Sequence, residues 1–234
     1  MLSALAVRGG SRVAARTSQA ATALLRGPGN PKLAELAEQA RRLCAHSSRS
    51  LPPCPSGLAA LDDALGGGFV RGAIHELIAA GNNAAVRSVA LLIATRAADQ
   101  QRWIFYLDTT GDFYPPGAVQ LGVPLERLVV IQTSRPGDAL WVCEQSLRCK
   151  SVAAVVLPLR SLDVRVSRRL QLAAETGGNL GLLVGDDARS GPTFAASRLR
   201  FEPLPDVARG RRLLVSVLKL REGSPLEPFE LELP

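Results

Sequence analysis

Ile74–Ser88 reads IHELIAAGNNAAVRS, and the order of features inside it decides the fold class. Ile74–Ile78 reads as a short strand. Ala80 and Gly81 interrupt it, and a helix of about 12 residues is expected from Arg87 onward. A strand, a glycine turn and a helix, in that order, is where a phosphate-binding loop sits when a chain has one. Counted from Gly81, the loop form GxxxxGK[ST] requires glycine at 86, lysine at 87 and serine or threonine at 88. The sequence supplies Val86, Arg87 and Ser88. Ser88 fits and Arg87 keeps a cation, but Val86 is β-branched, stiff and averse to positive φ. A loop containing it cannot easily fold back to aim successive N–H groups at a phosphate. Only the weak pull of a helix N-terminus on anions would remain.

Outward from that stretch the same alternation continues. Trp103–Leu107, Leu128–Gln132, Val152–Leu157 and Leu180–Val184 are apolar runs of strand length, and Ala139–Arg148 and Val166–Glu175 have helical spacing. Buried strands alternating with helices predict an α/β fold, with a mostly parallel sheet and helices on both faces. Arg198–Leu204, Leu213–Leu220 and Phe229–Leu233 follow without helices between them. They are expected to be antiparallel strands added at the C-terminal edge.

Three segments are expected. Residues 1–30 form a basic tail with few large apolar residues, consistent with disorder. Residues 31–55 hold an amphipathic helix, with Leu33, Leu36, Ala37, Ala40, Leu43 and Cys44 at helical spacing, and a proline-rich linker. Residues 56–234 form the core domain. Leu36 on that helix is a candidate partner contact. Residues 1–34 contain no acid and resemble a transit peptide in composition; the competing reading is a plain basic tail.

The chain has 234 residues and a net charge of +7, unevenly placed. Residues 1–50 hold eight of the 28 Lys and Arg and two of the 21 acids, leaving 20 against 19 for the rest. A body so near neutrality is not a general nucleic-acid binder by charge. The exception is Arg198–Arg221, with seven basic residues against Glu202 and Asp206. Arg209, Arg211 and Arg212 fall at the expected turn between two strands and are candidate nucleic-acid contacts. No apolar run approaches the roughly 18–20 residues that span a bilayer. Cys44, Cys54, Cys143 and Cys149 lack the paired spacing of a zinc or redox site, so no metal is expected.

Chemistry on a phosphate would also need acids at strand ends. Trp103–Leu107 runs into Asp108, then Thr109 and Thr110, whereas Val152–Leu157 runs into Pro158 with no carboxylate for magnesium. Asp108 is either a catalytic carboxylate or, as a single Asp at a strand end, the cap of the following turn. In Ser167–Glu175, SRRLQLAAE, Leu170 and Leu172–Ala174 are expected to form the apolar side. Arg168 and Arg169 are expected to face water, as a solvated helix face or as a patch for a partner or acid.

Three blocks together carry a resemblance. They are SGLAALDDALGGGFVRGAIHEL (Ser56–Leu77), DTTGDFYPP (Asp108–Pro116) and SRRLQLAAE (Ser167–Glu175). The chain resembles the ImuA family, RecA-like accessory proteins of SOS mutagenesis, over residues 56–234. The first block is similar to RecA recombinases generally, where it precedes an intact phosphate loop; Phe113–Pro116 and SRRLQLAAE are the more specific marks. Against RecA, the water-activating glutamate falls at about Thr110 and the magnesium-binding acid at about Leu157. The DNA-binding loop shrinks to GDDARSGPTFAA (Gly185–Ala196). The resemblance implies a bacterial cytoplasmic protein with no cofactor, a non-catalytic adaptor in damage-induced translesion synthesis. Its implied partners are an ImuB-like polymerase homologue, an error-prone C-family polymerase, RecA and, weakly, single-stranded DNA. A division inhibitor resembling SulA, another degenerate RecA-like protein, is the alternative.

Overall fold

The computed structural model describes residues 52–81, 84–98, 101–187, 191–205, 211–221 and 226–233. The expected tail, the Leu33–Cys44 helix with Leu36, and Arg209 lie outside the described residues. The elements, in chain order, are α1 (Ala59–Ala64), β1 (Ala73–Ala79), α2 (Ala84–Ala97), β2 (Trp103–Asp108), α3 (Pro115–Gln120), β3 (Leu128–Gln132), α4 (Pro136–Arg148), β4 (Val152–Pro158), α5 (Val164–Gly177), β5 (Leu180–Asp186), β6 (Ser197–Pro203), β7 (Arg211–Leu220) and β8 (Phe229–Leu233).

The eight strands form one sheet in the order β3-β2-β4-β5-β1-β6-β7-β8. β1 and β4 are buried at every position; β4 accordingly reads as an unbroken apolar run, whereas β1 carries His75 and Glu76 into the interior. On one face α2 packs Val86, Val89, Ile93 and Ala94 against Leu77, Val156, Leu182 and Val184. On the other, Cys143 and Leu147 of α4 and Leu170, Ala173 and Ala174 of α5 cover Ile74, Val155, Leu157 and Leu183. The sheet is therefore sandwiched by helices, as the alternation predicts.

Two expectations need correction. β6 lies parallel to β1, with His75 opposite Ser197 and Ala79 opposite Phe201; only β7 and β8 are antiparallel additions. Because β1 sits between β5 and β6, no hairpin can join those two. The chain instead runs back along the sheet, Ala196 N–H bonding Ile74 O, before β6 begins. The helix expected from Arg87 starts at Ala84, so only residues 80–83 link β1 to α2.

The block before β1 is explained by local bonds. Asp62 on α1 accepts from Ser56 N (2.6 Å), Ser56 Oγ (2.7 Å) and Gly57 N (3.1 Å). The triple glycine then closes a two-way backbone bridge between Cys54 and Phe69. Gly68 has φ 124°, and a Cβ there would meet Cys54 O at 2.3 Å, so glycine is obligatory. These glycines shape a turn and touch no phosphate position. Phe69, thus placed, meets the His75 ring edge-on at 4.9 Å.

Candidate functional site

The site to be tested lies at the carboxyl ends of β1, β2, β4 and β5, where open α/β sheets bind ligands. A cleft of about 490 Å³ opens there, walled by Gly81, Arg87, Thr110, Ser134, Leu157, Arg160 and Asp186 among others. Of the residues singled out in the sequence, Gly81, Arg87, Thr110 and Leu157 line it, while Val86, Ser88 and Asp108 lie beside it.

Gly81 carries the turn after β1 with φ 83°. Val86 lies in the first turn of α2, 2% exposed, inside the core beneath the sheet. Where a phosphate loop would still be turning, this chain is already helical, and the valine side chain anchors that turn. Ser88 Oγ donates back to Ala84 O at 3.3 Å. Arg87 donates from Nη1 to Asp112 Oδ1 at 2.7 Å. Burial opposes the Arg87 charge, but that bond and the neighbouring Asp108 and Asp112 hold the guanidinium above its ordinary range. The same contact, with Thr110 Oγ1 at 2.6 Å, holds Asp112 below the usual carboxylate range. Tyr106, buried against this cluster, has its phenol pushed up to about 12 by desolvation.

Asp108 is the cap that its position at the strand end allows. Its Oδ1 accepts from the N–H groups of Thr110 (3.3 Å), Gly111 (2.8 Å) and Asp112 (3.3 Å), and Oδ2 from Phe113 N–H (3.3 Å). Gly111 takes φ 73° to close that turn. Phe113 then packs on Tyr106 at 4.7 Å, and Pro115 starts α3. The DTTGDFYPP block is thus one folded turn whose acids are turned toward its own backbone and Arg87. Leu157 is fully buried, and Pro158 O accepts from Thr109 Oγ1 at 3.2 Å.

SRRLQLAAE departs from its expected faces. Leu172 is 52% exposed, while Gln171, a polar residue, is buried. Gln171 Oε1 accepts from Ile74 N–H at 3.1 Å and Nε2 donates to Gly72 O at 3.3 Å, so an amide ties α5 to the start of β1. Arg169 pairs with the nearly buried Glu144 of α4, which also takes Arg148 at 2.6 Å. Arg168 lies over the Phe194 ring, 5.6 Å from its centroid. Of the basic residues near the β6–β7 turn, Arg211 opens β7 and Arg212 pairs with Glu230 of β8.

One cluster gave no sequence signal. Glu76, buried in the middle of β1, accepts from Thr193 Oγ1 (2.5 Å) and Arg198 Nε (2.6 Å). Ser167 Oγ meets Thr193 Oγ1 at 3.0 Å and accepts from Phe194 N–H at 2.9 Å. Residues 191–196, the stretch matching the shortened DNA-binding loop, are therefore stapled to the sheet and α5. Only the fold brings together groups 26 to 122 positions apart.

Among the described residues no cluster of His, Cys, Asp and Glu could hold a metal ion. Cys54 and Cys143 are buried, and desolvation raises both thiols, Cys143 to about 12, so they pack as small apolar groups. No helix among the described residues is long and apolar enough to cross a membrane.

The strand order, the parallel core with antiparallel additions, and the cleft at the strand ends define an α/β domain of RecA-like class. No family model matches the chain. It is 29% identical over 182 residues to Protein ImuA of Caulobacter vibrioides, covering 68% of this chain and 75% of that protein, in each of two strains. It is also 32% identical over 136 residues to Protein RecA of a Picosynechococcus species, covering 58% of this chain and 37% of that protein. Over 68% of its length, then, the chain is similar to ImuA, with a shorter stretch of similarity to RecA.

Proposed function

We propose that this protein works by binding, as a non-catalytic RecA-like adaptor in SOS-induced translesion synthesis. The observation that carries the reading is the β1–α2 junction, where Ala84 already opens the helix and Val86 is in the core. A triphosphate needs several backbone N–H groups converging on it and a cation free to follow its charge. Here the loop spans residues 80–83, and Arg87 is held by Asp112. Magnesium would need carboxylates, but Asp108 is turned into its own loop and β4 ends in Leu157 and Pro158. Mg-ATP does not fit these residues.

The family resemblance supplies the context: an ImuB-like polymerase homologue, an error-prone C-family polymerase and RecA as partners, in the cytoplasm. Arg168, Arg169 and Leu36 are the proposed partner contacts, and Arg209, Arg211 and Arg212 the proposed contact to single-stranded DNA. Titration calorimetry tests the reading most directly. The wild-type chain takes up no Mg-ATP at micromolar concentration. Val86→Gly combined with Arg87→Lys, which rewrites the motif, does not restore binding, because helix α2 still begins at Ala84. Micromolar binding by the wild type would overturn the proposal.

A further inference from the structure

Along the C-terminal strands most described cations are neutralised. Arg198 pairs with Glu76, Arg200 with Asp187 and Glu202, and Arg212 with Glu230. Around Phe194 the pattern changes. Arg168 rests on the Phe194 ring, Arg221 Nη2 donates to Phe194 O at 3.5 Å, and Lys219 Nζ donates to Thr193 O at 2.6 Å. Among the described residues none of the three makes an ion pair with a carboxylate. The acid nearest in the network, Glu76, is buried with Thr193 and Arg198 on its oxygens. Burial and the charge of Arg221 hold the Lys219 ammonium below its ordinary range, against a partial offset from Glu76.

We infer that Arg168, Leu172, Phe194, Lys219 and Arg221 form a docking surface for an acidic segment of a partner protein, with an apolar side chain between its carboxylates. The inference rests on the adaptor reading and names the chemistry of one partner contact. A guanidinium laid on an aromatic ring keeps its N–H groups in its own plane, open to a carboxylate. Leu172, one turn along α5 from Arg168, stands on the same helix face and is exposed, as is Phe194 at 42%. Together they offer apolar contact flanked by positive charge. Arg168 already covers one face of the Phe194 ring, so that face cannot stack a base, which favours carboxylates over nucleic acid. Three cations with no carboxylate partner among the described residues set the sign of the occupant. The occupant is another protein.

Fluorescence anisotropy of the full chain tests this with three labelled probes. They are a peptide of alternating aspartate and leucine, its lysine-for-aspartate counterpart, and oligothymidylate. The acidic peptide binds and the basic one does not. Arg168→Ala with Arg221→Ala, both at exposed positions, keeps the circular dichroism of the wild type and weakens the acidic peptide about tenfold or more. Unchanged affinity in that variant overturns the inference. So does oligothymidylate binding that is tighter than the acidic peptide's and lost in the same variant, which would make the surface a nucleic-acid site. Retrieval of the tagged chain from damaged cells, with the polymerase-like partners identified, separates the two readings. No damage-induced complex with the wild type, while the peptide still binds, removes the adaptor reading and leaves the surface standing. A full complex with the double variant, despite lost peptide binding, keeps the adaptor reading and overturns this docking assignment.

Discussion

His75 shows how far a single side chain is committed to the fold. Its Nε2 lies 2.9 Å from Val70 O, which can only accept, so Nε2 carries the proton and Nδ1 accepts from Ser197 Oγ at 2.9 Å. Complete burial, with a smaller push from Arg221, drives the imidazole down to about 4 from its ordinary 6.5. An unfolded chain takes up a proton near 6.5 that the folded chain refuses until about 4. The fold is therefore fully favoured above pH 6.5 and loses stability as pH falls through that window, by on the order of 3 kcal/mol. Urea midpoints measured between those pH values should fall steeply for the wild type and much less for His75→Gln. Equal slopes would show that His75 does not govern the acid limb. At this scale the sequence was partly legible. The cap at Asp108 follows from an Asp ending a strand, because its partners are the next few N–H groups. The Arg87–Asp112 pair could not be read, since a turn and a strand separate the two by 25 positions.

Segment 191–196 is secured by polar bonds to the sheet and to α5. Glu76 is buried and its partner Arg198 half-buried, so removing the arginine leaves an uncompensated buried charge. Arg198→Met alone should cost about 3–5 kcal/mol, whereas Arg198→Met with Glu76→Leu should recover most of it. Chemical denaturation of the four chains of that cycle gives the coupling; simple additivity would argue that the pair is not a unit. Among elements, legibility followed length and burial. β4 was unmistakable because seven consecutive buried positions leave no polar residue in the run. α1 and α3, six residues each, are too short to display a helical period. The direction of β6 depends on β1, far away in the chain, and no local pattern encodes it. Leu172 left its expected face, and Gln171 is buried beside Leu170, because a buried amide satisfies Ile74 N–H and Gly72 O, a requirement that apolar periodicity does not register.

For the whole molecule, the sheet needs protection at both margins. At one margin β8 covers β7, and its Leu231 and Leu233 join the core against which α1 packs. Removing residues 227–234 would bare the edge of β7 from Arg211 to Val215, where β8 pairs with it, and uncover that apolar face. The shortened chain should self-associate and lose several degrees of thermal midpoint, read by light scattering and calorimetry side by side. A monomeric product with an unchanged midpoint would mean that β8 is an accessory to the sheet.

The place of β1 between β5 and β6 also sets the order in which the protein can be made. His75 and Ser197 meet across 122 positions, and both neighbours of β1 leave the ribosome long after it does. Through most of synthesis, then, IHELIA waits with two bare edges, and vectorial folding from the N-terminus cannot begin there. The first stable nucleus has to come from the middle of the chain, where β2, β3 and β4 pair over short distances. A ribosome that stalls before residue 180 holds out an apolar strand for chaperones or aggregation.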